Sequence, residues 1–310
     1  MNSEAIIECV PNFSEGTDLT KVSRIVQAMQ VPGVSLLDWS LDTAHNRSVV
    51  TIAGPADPVM ESAVRGAGKA AELIDLTQQN GVHPRIGAAD VIPFIPVRGT
   101  SLASCALLAR QAGLQIWRRY GIPVYFYGAS AARPDRVQLE DVRRGQFEGL
   151  RDAVRRDAAR RPDIGGPDLH ATAGASAVGA RSFLIAYNVH LRQPDITAAR
   201  AIARDIRASN GGLHGVKALG VLANGRAQVS MNITDHLATP MSKVYTRLKE
   251  LALRHGAELD DSELIGLIPE AAYEEGAEWI SRIPNFDPAL KVVERRLENP
   301  LDWMTVTGCR

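Results

Sequence analysis

Residues 216–233 read VKALGVLANGRAQVSMNI. Two apolar-rich runs flank the dipeptide Asn224-Gly225, which favours the tight turn of a β-hairpin. One predicted strand and helix precede this hairpin, and another helix and strand follow it, at residues 182–189, 196–209, 240–255 and 262–268. The resulting order, β-α-β-β-α-β, is that of a ferredoxin-like unit.

The amino-terminal half of the chain repeats this order with a different sequence. Its predicted elements are a strand, a helix, two strands, a helix and a strand, at residues 5–10, 17–30, 34–38, 47–53, 57–76 and 91–97. Pro93 and Pro96 predict that the last of these strands lies at an edge or an end of its sheet. The pattern predicts an α+β fold with two ferredoxin-like βαββαβ subdomains, residues 1–180 and 181–310.

Composition excludes several classes of protein. Of the 310 residues, 45% are apolar and 23% are charged, which is typical of a globular chain and not of a disordered one. Lys plus Arg and Asp plus Glu number 35 each, so the basic excess typical of a nucleic-acid-binding protein is missing. No apolar run reaches the roughly 18 residues that a membrane span needs. We therefore expect a cytoplasmic protein that binds neither nucleic acid nor membrane.

The spacing of cysteine and histidine predicts no metal site. Cys9, Cys105 and Cys309 lie too far apart in sequence for a CxxC zinc-binding motif or a disulfide framework. The seven histidines form no i, i+4 pair and no cluster with cysteine.

His83 is the strongest candidate for a chemical role. It lies in the segment NGVHPRIG (residues 80–87), where glycine and proline on both sides predict a rigid loop that leads into a strand. Pro84 restricts His83 to an extended backbone, and the charge of Arg85 disfavours an imidazolium nearby. A neutral, rigidly held imidazole suits a general base near pH 7. The alternative is an ordinary histidine on a surface loop.

Three further segments have both a structural and a functional interpretation. His45 lies in the turn between two predicted strands, where Asp and Asn commonly bond the backbone. Ser14 and Glu15 precede a predicted helix, a position that suits either helix capping or anion binding. Residues 155–181 form a long stretch without periodicity, which predicts either a linker or a ligand-binding loop.

Five longer runs are distinctive enough to indicate a family. They read ECVPNFSEG (8–16), GVHPRIGAADVIPFIPVRG (81–99), PVYFYG (123–128), GARSFLIAYN (179–188) and SELIGLIP (262–269). With these runs in this order, the chain resembles the glutamate formimidoyltransferase (formiminotransferase) family over residues 5–298. It ends where the mammalian bifunctional members continue into a cyclodeaminase domain, so it looks like the stand-alone bacterial form.

This resemblance implies an activity. Members of the family transfer a formimidoyl group from N-formimidoyl-L-glutamate to N5 of tetrahydrofolate, late in histidine degradation. Tetrahydrofolate is therefore the implied co-substrate, and no metal is needed. The implied protein partners are a second copy of the chain, in a homodimer, and a separate cyclodeaminase. The two subdomains are implied to enclose an electropositive crevice or tunnel for the ligands.

The matched motifs also imply site residues. The acid–base histidine of the family falls on His83, and the folate-contacting segment falls on residues 165–174. Arg47, Arg85 and Arg181 lie inside matched motifs and are candidates to bind substrate carboxylates. The residues implied to bind substrate or folate are Asn12, Ser14, Glu15, Arg47, Arg85, Gly165, Gly166, Pro167, His170, Gly174, Ala175, Gly179, Arg181 and Asn188.

The sequence departs from the family at the carboxylate thought to assist the histidine. Mammalian members carry an aspartate two residues after LLD, whereas this chain reads LLDWSLD (36–42) and has Ser40 there. Asp42 and Asp38 are the candidate replacements, and Ala44 stands where bacterial members often carry an acidic residue. Donor specificity therefore stays open. The alternatives are formimidoylglycine or N-formylglutamate as the donor, a folate-binding protein without catalysis and, by analogy of fold alone, an amino-acid-sensing regulator.

Overall fold

A computed structural model describes the chain at residues 5–43, 45–79, 81, 84–223 and 225–307. Within these ranges the chain forms two compact units. The first comprises residues of Met1–Arg181 together with residues of Pro300–Arg310, and the second comprises residues of Ser182–Asn299. Each unit combines helices with a β-sheet, which confirms the predicted α+β class. No helix in the described ranges is long and apolar enough to cross a membrane.

The first unit is built on one large sheet. Its elements in chain order are β1 (Ile6–Cys9), β2 (Asn12–Phe13), α1 (Leu19–Ala28), β3 (Ser35–Asp42), β4 (Arg47–Gly54), α2 (Ala56–Leu73), β5 (Ala89–Arg98), α3 (Leu102–Tyr120), β6 (Val124–Gly128), α4 (Leu139–Val142), α5 (Gln146–Arg156) and β7 (Ser176–Ala180). Across the sheet the described strands follow the order β3, β4, β1 with β2, β5, β7, β6. Strands β5, β7 and β6 run parallel, and the other neighbours are antiparallel. The predicted β-α-β-β-α-β order is present and is extended beyond β5 by β7 and β6.

Strand β5 lies inside this sheet, so the edge position predicted from its prolines is wrong. The neighbouring strand is interrupted between Cys9, which ends β1, and Asn12, which begins β2. Pro93 faces this interruption, where its carbonyl oxygen accepts the N–H of Val10 (3.3 Å). Because proline has no N–H to donate, it is tolerated where the hydrogen-bond ladder is already broken.

Strand β7 forms in the stretch that shows no periodicity in sequence. It lies between β5 and β6, and all of its residues are buried. A Cβ at Gly179 would lie 2.5 Å from Cδ1 of Tyr127, so the close packing of these two strands requires glycine there. A parallel strand buried on both faces shows no alternation of apolar and polar residues. For residues 176–180 the linker interpretation is therefore wrong.

Helices α2 and α3 pack on the sheet of the first unit and on each other, and α1 packs on α2. Helix α2 packs on β1, β4 and β5, and α3 packs on β5, β6 and β7. The core that they share includes Phe13 and Phe94. Asp18 caps α1 by accepting the N–H groups of Thr20 (2.9 Å) and Lys21 (3.2 Å). Such a cap satisfies backbone donors that have no partner within the helix.

The carboxy-terminal segment packs with the first unit, although the sequence expectation assigned residues 181–310 to the second. The N–H of Leu301 donates to the carbonyl oxygen of Leu36 (2.8 Å). The hydroxyl of Ser23 donates to the carbonyl oxygen of Val306 (2.5 Å), whose side chain is fully buried. Burial of this short apolar segment against the first core explains why the second unit ends earlier.

The four-stranded sheet of the second unit is antiparallel. Its elements in chain order are β8 (Ile185–Leu191), α6 (Ile196–Ile206), β9 (Val216–Ala223), β10 (Arg226–Ile233), α7 (Met241–Arg254), β11 (Leu259–Ile265), α8 (Glu278–Ser281), α9 (Pro288–Lys291) and α10 (Val293–Glu298). The strand order is β11, β8, β10, β9. Tyr187 and Trp279 meet edge to face in its core, 5.8 Å between ring centroids, and the Tyr187 hydroxyl donates to Ser262 Oγ (3.0 Å). The β-α-β-β-α-β order predicted around the hairpin is present.

Candidate functional site

The turn that joins β3 to β4 packs against the segment that leads to His83. A Cβ at Gly81 would lie 2.7 Å from the carbonyl oxygen of His45 and 3.0 Å from Cβ of Asn46, so the approach requires glycine. Nε2 of Gln79 also donates to the carbonyl oxygen of Asn46 (3.1 Å). The sequence neighbours of His83 are therefore held against this turn. His83 itself lies outside the described residues, as does Ala44, so the interpretations of these two positions stay predictions.

Arg85 anchors the segment that follows His83. Its Nε donates to Oε1 of Gln79 (2.5 Å), and its Nη2 donates to the carbonyl oxygen of Gln79 (2.9 Å) and to Oε1 of Glu148 (2.9 Å). Its Nη1 donates to Oε2 of Glu148 (3.1 Å). Burial by itself would raise the pKa of Glu148, but Arg85, a backbone hydrogen bond and the charge of Arg151 together lower it. Each guanidinium nitrogen has a partner within the protein, which supports a structural role for Arg85.

Asp42, one of the two candidate orienting carboxylates, binds His45. Oδ2 of Asp42 lies 2.5 Å from Nδ1 of His45, and Oδ1 accepts the backbone N–H of His45 (2.9 Å). Both side chains are about half exposed. A carboxylate at Nδ1 favours the imidazole tautomer that carries its proton on that nitrogen.

Asp38, the other candidate, lies farther along the same strand. Side chains alternate along a strand, so Asp38, Ser40 and Asp42 share one face of β3. Asp38 is four residues from Asp42, about 13 Å at the rise of an extended strand. Of the two aspartates, Asp42 is the one next to the turn.

Asp90 is buried beside the segment that follows His83. Its carboxylate has one partner in that segment and one directly after α4. Its Oδ1 accepts the N–H of Ile86 (2.8 Å), and its Oδ2 pairs with Nη2 of Arg143. Arg143 directly follows α4, and its side chain is only 12% exposed. Nε of Arg143 is buried and has no hydrogen-bond partner among the residues that the structure describes. A buried donor without a partner costs about 1–3 kcal/mol, so this nitrogen requires an explanation.

Arg47 brings a second guanidinium to the same place. Burial, followed by the charge of Arg143, lowers the pKa of Arg47 to about 10, although Asp90 and Asp42 act in the opposite direction. Arg47 thus stays charged at neutral pH while it is desolvated beside another cation.

Arg181 adds to this charge from the end of β7. Its side chain hydrogen-bonds Tyr127, a buried residue of β6. Burial raises the pKa of Tyr127, and the charges of Arg181 and Arg143 oppose this in part. Tyr127 is therefore a neutral phenol at pH 7, close to both arginines.

A small pocket in the first unit brings many of these groups together. It is lined by Phe13, Ser14, His45, Asn46, Arg47, Arg85 and Asp90. Ser14, Arg47 and Arg85 are predicted binding residues, and Asp42 reaches the pocket through His45. Arginines and an imidazole are groups that suit an anionic ligand which exchanges protons, and the cavity between them, about 10 Å³, has room for about one water molecule.

Two predicted binding residues, Asn12 in β2 and Ser14 directly after it, bond backbone groups through their side chains. Nδ2 of Asn12 donates to the carbonyl oxygen of Val10 (2.6 Å), at the break between β1 and β2. The hydroxyl of Ser14 donates to the carbonyl oxygen of Gly87 (2.7 Å), and its N–H donates to that of Ala88 (2.9 Å). Ser14 therefore connects the end of β2 to the segment that follows His83.

Glu15, also a predicted binding residue, supports the start of α1. Its Oε1 accepts the N–H groups of Thr17 and Asp18, both at 2.9 Å, and its Oε2 pairs with Nζ of Lys21 (3.2 Å). Burial by itself would raise the pKa of Glu15, but these bonds together hold it below its ordinary value of 4.5. The contacts support the capping interpretation of this position.

The segment predicted to contact folate divides into an exposed and a buried part. Gly166 and Pro167 are exposed. Gly165 has a φ of +77°, and a Cβ there would lie 2.6 Å from the ring of Trp117. This first part of the segment thus presents backbone at the surface of the unit.

The second part of the segment runs beside the residues that follow His83. His170 and Gly174 bond each other through their backbone groups (2.9 and 3.0 Å), and Nδ1 of His170 accepts the N–H of Ala173 (3.0 Å). The N–H of Ala175 donates to the carbonyl oxygen of Ile86 (2.9 Å). A Cβ at Gly174 would lie 2.1 Å from that same oxygen. The structure therefore brings this part of the segment to the loop that carries His83.

Asn188 is a predicted binding residue of the second unit. It is buried on β8, and its Nδ2 donates to Oε1 of Glu263 on the adjacent strand (2.9 Å). No group of three or more His, Cys, Asp or Glu side chains is placed to hold a metal ion in the part of the chain that the structure describes.

Sequence reasoning did not single out Asp90 or Arg143. Asp90 lies inside a quoted motif, but nothing local marks its carboxylate as buried. Arg143 is followed by Arg144, which is 75% exposed and pairs with Asp141. The two arginines look equivalent in sequence, and only the tertiary fold distinguishes them.

Comparison with known proteins gives matches over most of the chain. The family model described as the formiminotransferase domain, N-terminal subdomain, matches residues 6–181, and the model of the formiminotransferase domain matches residues 186–291. The chain is 41% identical over 299 residues to a glutamate formimidoyltransferase of Thermoplasma acidophilum, covering 95% of this chain and 98% of that protein. It is 40% identical over 295 residues to a glutamate formimidoyltransferase of Streptococcus pyogenes, covering 94% and 98%. It is also 38% identical over 273 residues to a formimidoyltransferase-cyclodeaminase of Rattus norvegicus, covering 85% of this chain and 50% of that protein.

Proposed function

Because this chain belongs to the formiminotransferase family and is a transferase, we propose that it transfers a formimidoyl group from N-formimidoyl-L-glutamate to N5 of tetrahydrofolate. The products are 5-formimidoyltetrahydrofolate and L-glutamate, and the reaction belongs to histidine degradation. The observation that carries this proposal is the identity of 40–41%, over nearly the whole of both chains, to two glutamate formimidoyltransferases.

The reaction moves one proton in each direction. N5 attacks the formimidoyl carbon and forms the new C–N bond, and the proton of N5 passes to the imidazole of His83. The bond from that carbon to the glutamate nitrogen then breaks, and the imidazolium returns a proton to the departing nitrogen. One histidine near neutral pKa can serve both steps, which is typically worth roughly 10²–10⁴-fold in rate. Holding both substrates in one place would supply much of the remaining acceleration.

The segments on both sides of His83 support its assignment as the acid–base residue. Gly81 packs on the turn of His45, and Arg85 is tied to Gln79 and Glu148. A group that transfers protons must be held in a fixed geometry relative to the substrate. Anchoring on both sides of position 83 is what this role requires.

The charge of the first unit supports acidic substrates. N-formimidoyl-L-glutamate carries two carboxylates, and the folate tail carries more. Arg47 lines the pocket and Arg181 lies nearby, so each could bind a carboxylate through paired N–H groups. The hydrogen bond from Ala175 to Ile86 and the close approach of Gly174 to Ile86 support a role for the adjacent segment, residues 165–174, in binding folate next to His83.

A spectrophotometric assay tests the reaction. Purified protein is mixed with tetrahydrofolate and N-formimidoyl-L-glutamate and then acidified, which converts the product to methenyl-tetrahydrofolate with its near-ultraviolet absorption. We expect a signal that requires both substrates and disappears in His83→Ala. Turnover within a few-fold of wild type in that variant would show that another group transfers the proton.

The same assay separates the proposed donor from its alternatives. Formimidoylglycine and N-formylglutamate are offered in place of N-formimidoyl-L-glutamate at equal concentration, because Ser40 and Ala44 depart from the family pattern. Faster turnover of either compound would replace the donor named here. Folate binding by calorimetry without turnover of any donor would contradict the proposed reaction.

The protein partners and location implied by the family are part of this proposal. We expect a homodimer in the cytoplasm that passes its product to a separate cyclodeaminase. Size-exclusion chromatography with light scattering measures the mass of the particle, and a monomer at micromolar concentration would contradict the homodimer.

A further inference from the structure

Strand β9 forms one edge of the second unit's sheet. It pairs with β10 over all eight of its residues, without a register shift. The N–H of Val216 donates to the carbonyl oxygen of Leu213 (3.2 Å), and the carbonyl oxygen of Gly215 accepts the N–H of Thr234 (2.8 Å), directly after β10. Because hydrogen-bonded pairs alternate along an antiparallel ladder, the odd-numbered residues of β9 bond β10 and the even-numbered ones point their N–H and C=O groups outward. The outward groups of residues 218, 220 and 222 have no hydrogen-bond partner in the described ranges.

The other three sheet edges of the described chain are each covered by a further segment. Strand β3 forms an isolated bridge with Leu301, and strand β6 forms one with Ile164. Strand β11 donates the N–H of Ser262 to the carbonyl oxygen of Arg282 (2.8 Å). Register shifts also interrupt β3 and β11, a further device that protects a sheet edge from pairing. Strand β9 has neither protection among the residues that the structure describes.

The side chains of β9 make this edge apolar. The strand reads VKALGVLA, with one charged residue and no proline. Leu219 is 63% exposed and Leu222 is 57% exposed, and because side chains alternate along a strand, the two leucines lie on opposite faces of the sheet. Gly220 lies against α6, where a Cβ would be 2.5 Å from the carbonyl carbon of Ala199. An edge that is regular, open and apolar on both faces favours pairing with a further strand.

A second copy of β9 fits this edge. Two antiparallel strands of the same sequence pair around a two-fold axis, which is the symmetry of a homodimer. With the axis at Gly220, the outward groups of residues 218, 220 and 222 bond those of the other copy, and Leu219 of each copy lies opposite Val221 of the other. Lys217 is three residues from the axis, so the two lysines are about 20 Å apart. This pairing therefore joins apolar residues and keeps like charges separate.

We propose that β9 is an interface between two copies of this chain, in which it pairs with β9 of the second copy, antiparallel and around a two-fold axis at Gly220. The two four-stranded sheets then form one continuous sheet. The inference deepens the homodimer of the proposed function by naming its surface. It does not depend on the reaction, because the mass of the particle is measured without substrates.

Sedimentation velocity over a dilution series of Leu219→Lys tests the proposal, with Leu253→Lys as the matched control. Leu219→Lys removes a leucine from each side of the interface and makes the two ammonium groups diagonal neighbours, roughly 7–8 Å apart. We expect the dissociation constant of the dimer to rise at least about tenfold. Leu253 is 84% exposed on α7, away from β9 in the fold of the unit, so Leu253→Lys should leave the constant within about threefold of wild type.

Leu222→Pro covers the case in which the lysine variant does not fold. The N–H of Leu222 points outward, so proline there removes no hydrogen bond of the single chain but prevents pairing with a second strand. We expect a melting temperature close to that of wild type and sedimentation as a monomer. Val221→Pro is the control for proline itself, because the N–H of Val221 points toward β10 and its loss should lower the melting temperature.

The outcomes separate this interface from the homodimer and from the reaction. A wild-type protein that stays a monomer at micromolar concentration would overturn both the interface and the homodimer. A wild-type dimer whose dissociation constant is unchanged in folded Leu219→Lys and Leu222→Pro would overturn the interface alone. Weaker dimers in these two variants, with Leu253→Lys unchanged, support the interface even if the protein turns over none of the donors.

Discussion

The carboxylate of Asp42 holds the imidazole of His45, with 2.5 Å between Oδ2 and Nδ1. In the register of the β3–β4 hairpin Asp42 is paired with Arg47, and both His45 and Arg47 line the pocket. Sequence reasoning left Asp42 and Asp38 as the two candidates for the support of His83. The geometry adds a second imidazole, that of His45, through which the carboxylate can act.

We predict that Asp42 acts largely through His45. Asp42→Asn should lower kcat roughly ten- to hundredfold, the usual cost of removing the carboxylate that orients an imidazole. His45→Gln should lower kcat by a similar factor, and the double variant should be no worse than the more severe single one, because residues that act as a unit are not additive. The measurement is kcat for all four proteins at saturating substrates. Losses that multiply in the double variant would show that Asp42 and His45 act independently.

Gly174 should be essential for stability. Its φ is +68° and a Cβ would lie 2.1 Å from the carbonyl oxygen of Ile86, so Gly174→Ala combines backbone strain with a clash against backbone. We expect a loss of about 3 kcal/mol or more in the free energy of unfolding, measured by urea denaturation.

Gly121 provides the control for that substitution. Its φ is +66°, but nothing lies within 4 Å of a Cβ built there, so Gly121→Ala adds strain alone. We expect a loss of about 1 kcal/mol. Equal losses in the two variants would show that the contact between Gly174 and Ile86 is looser than described.

Glu15 should stabilise the protein in a pH-dependent way. Its pKa in the folded state lies below the ordinary value of 4.5, because hydrogen bonds and Lys21 outweigh burial. The carboxylate therefore stabilises the fold fully above pH 4.5, and this contribution is lost as the pH falls through the lowered folded pKa. Glu15→Gln should lower the free energy of unfolding by about 1–2 kcal/mol at pH 7, and the difference from wild type should shrink below pH 4.5.

Glu72→Gln is the control for this titration. Glu72 lies on the same unit with a side chain that is 58% exposed, and its partner is Lys69 on the same helix. An exposed pair of this kind contributes little to stability, so its substitution should leave the profile close to wild type. A difference between Glu15→Gln and wild type that stays constant from pH 7 to pH 3 would contradict the role of the Glu15 carboxylate.

Much of the fold follows from local patterns. The hairpin at Asn224-Gly225 and the alternation or helical spacing around it predict all six elements of the second unit's β-α-β-β-α-β order. Strand β7 and the interior position of β5 do not follow from these patterns. A strand that is buried on both faces has no polar side to reveal its period, and the tolerance of Pro93 depends on a break in a neighbouring strand that is distant in sequence.

The candidate site divides in the same way. Ser14, Arg47 and Arg85 lie in distinctive motifs, and the structure places all three at one pocket. Their individual contacts differ, since Arg85 is engaged on every nitrogen by Gln79, Gln146 and Glu148, whereas Arg47 is desolvated beside another cation. A residue type and a motif predict what a side chain can bind, but they do not predict which partners surround it in the fold.

Residue order alone is enough to determine the class of this protein and its family, and to predict the segments that hold its candidate site residues, because periodicity, turn residues and long motifs are local properties of the chain. The burial of Arg143 against Asp90, the pairing of Asp42 with His45, and the contact of Gly174 with Ile86 are decided only by the tertiary structure. Each of these depends on how close residues come that are not neighbours in sequence, and on how much water is removed between them. Those two quantities set the electrostatic interaction energies and the pKa values in the pocket. They are defined only once the sheet has formed.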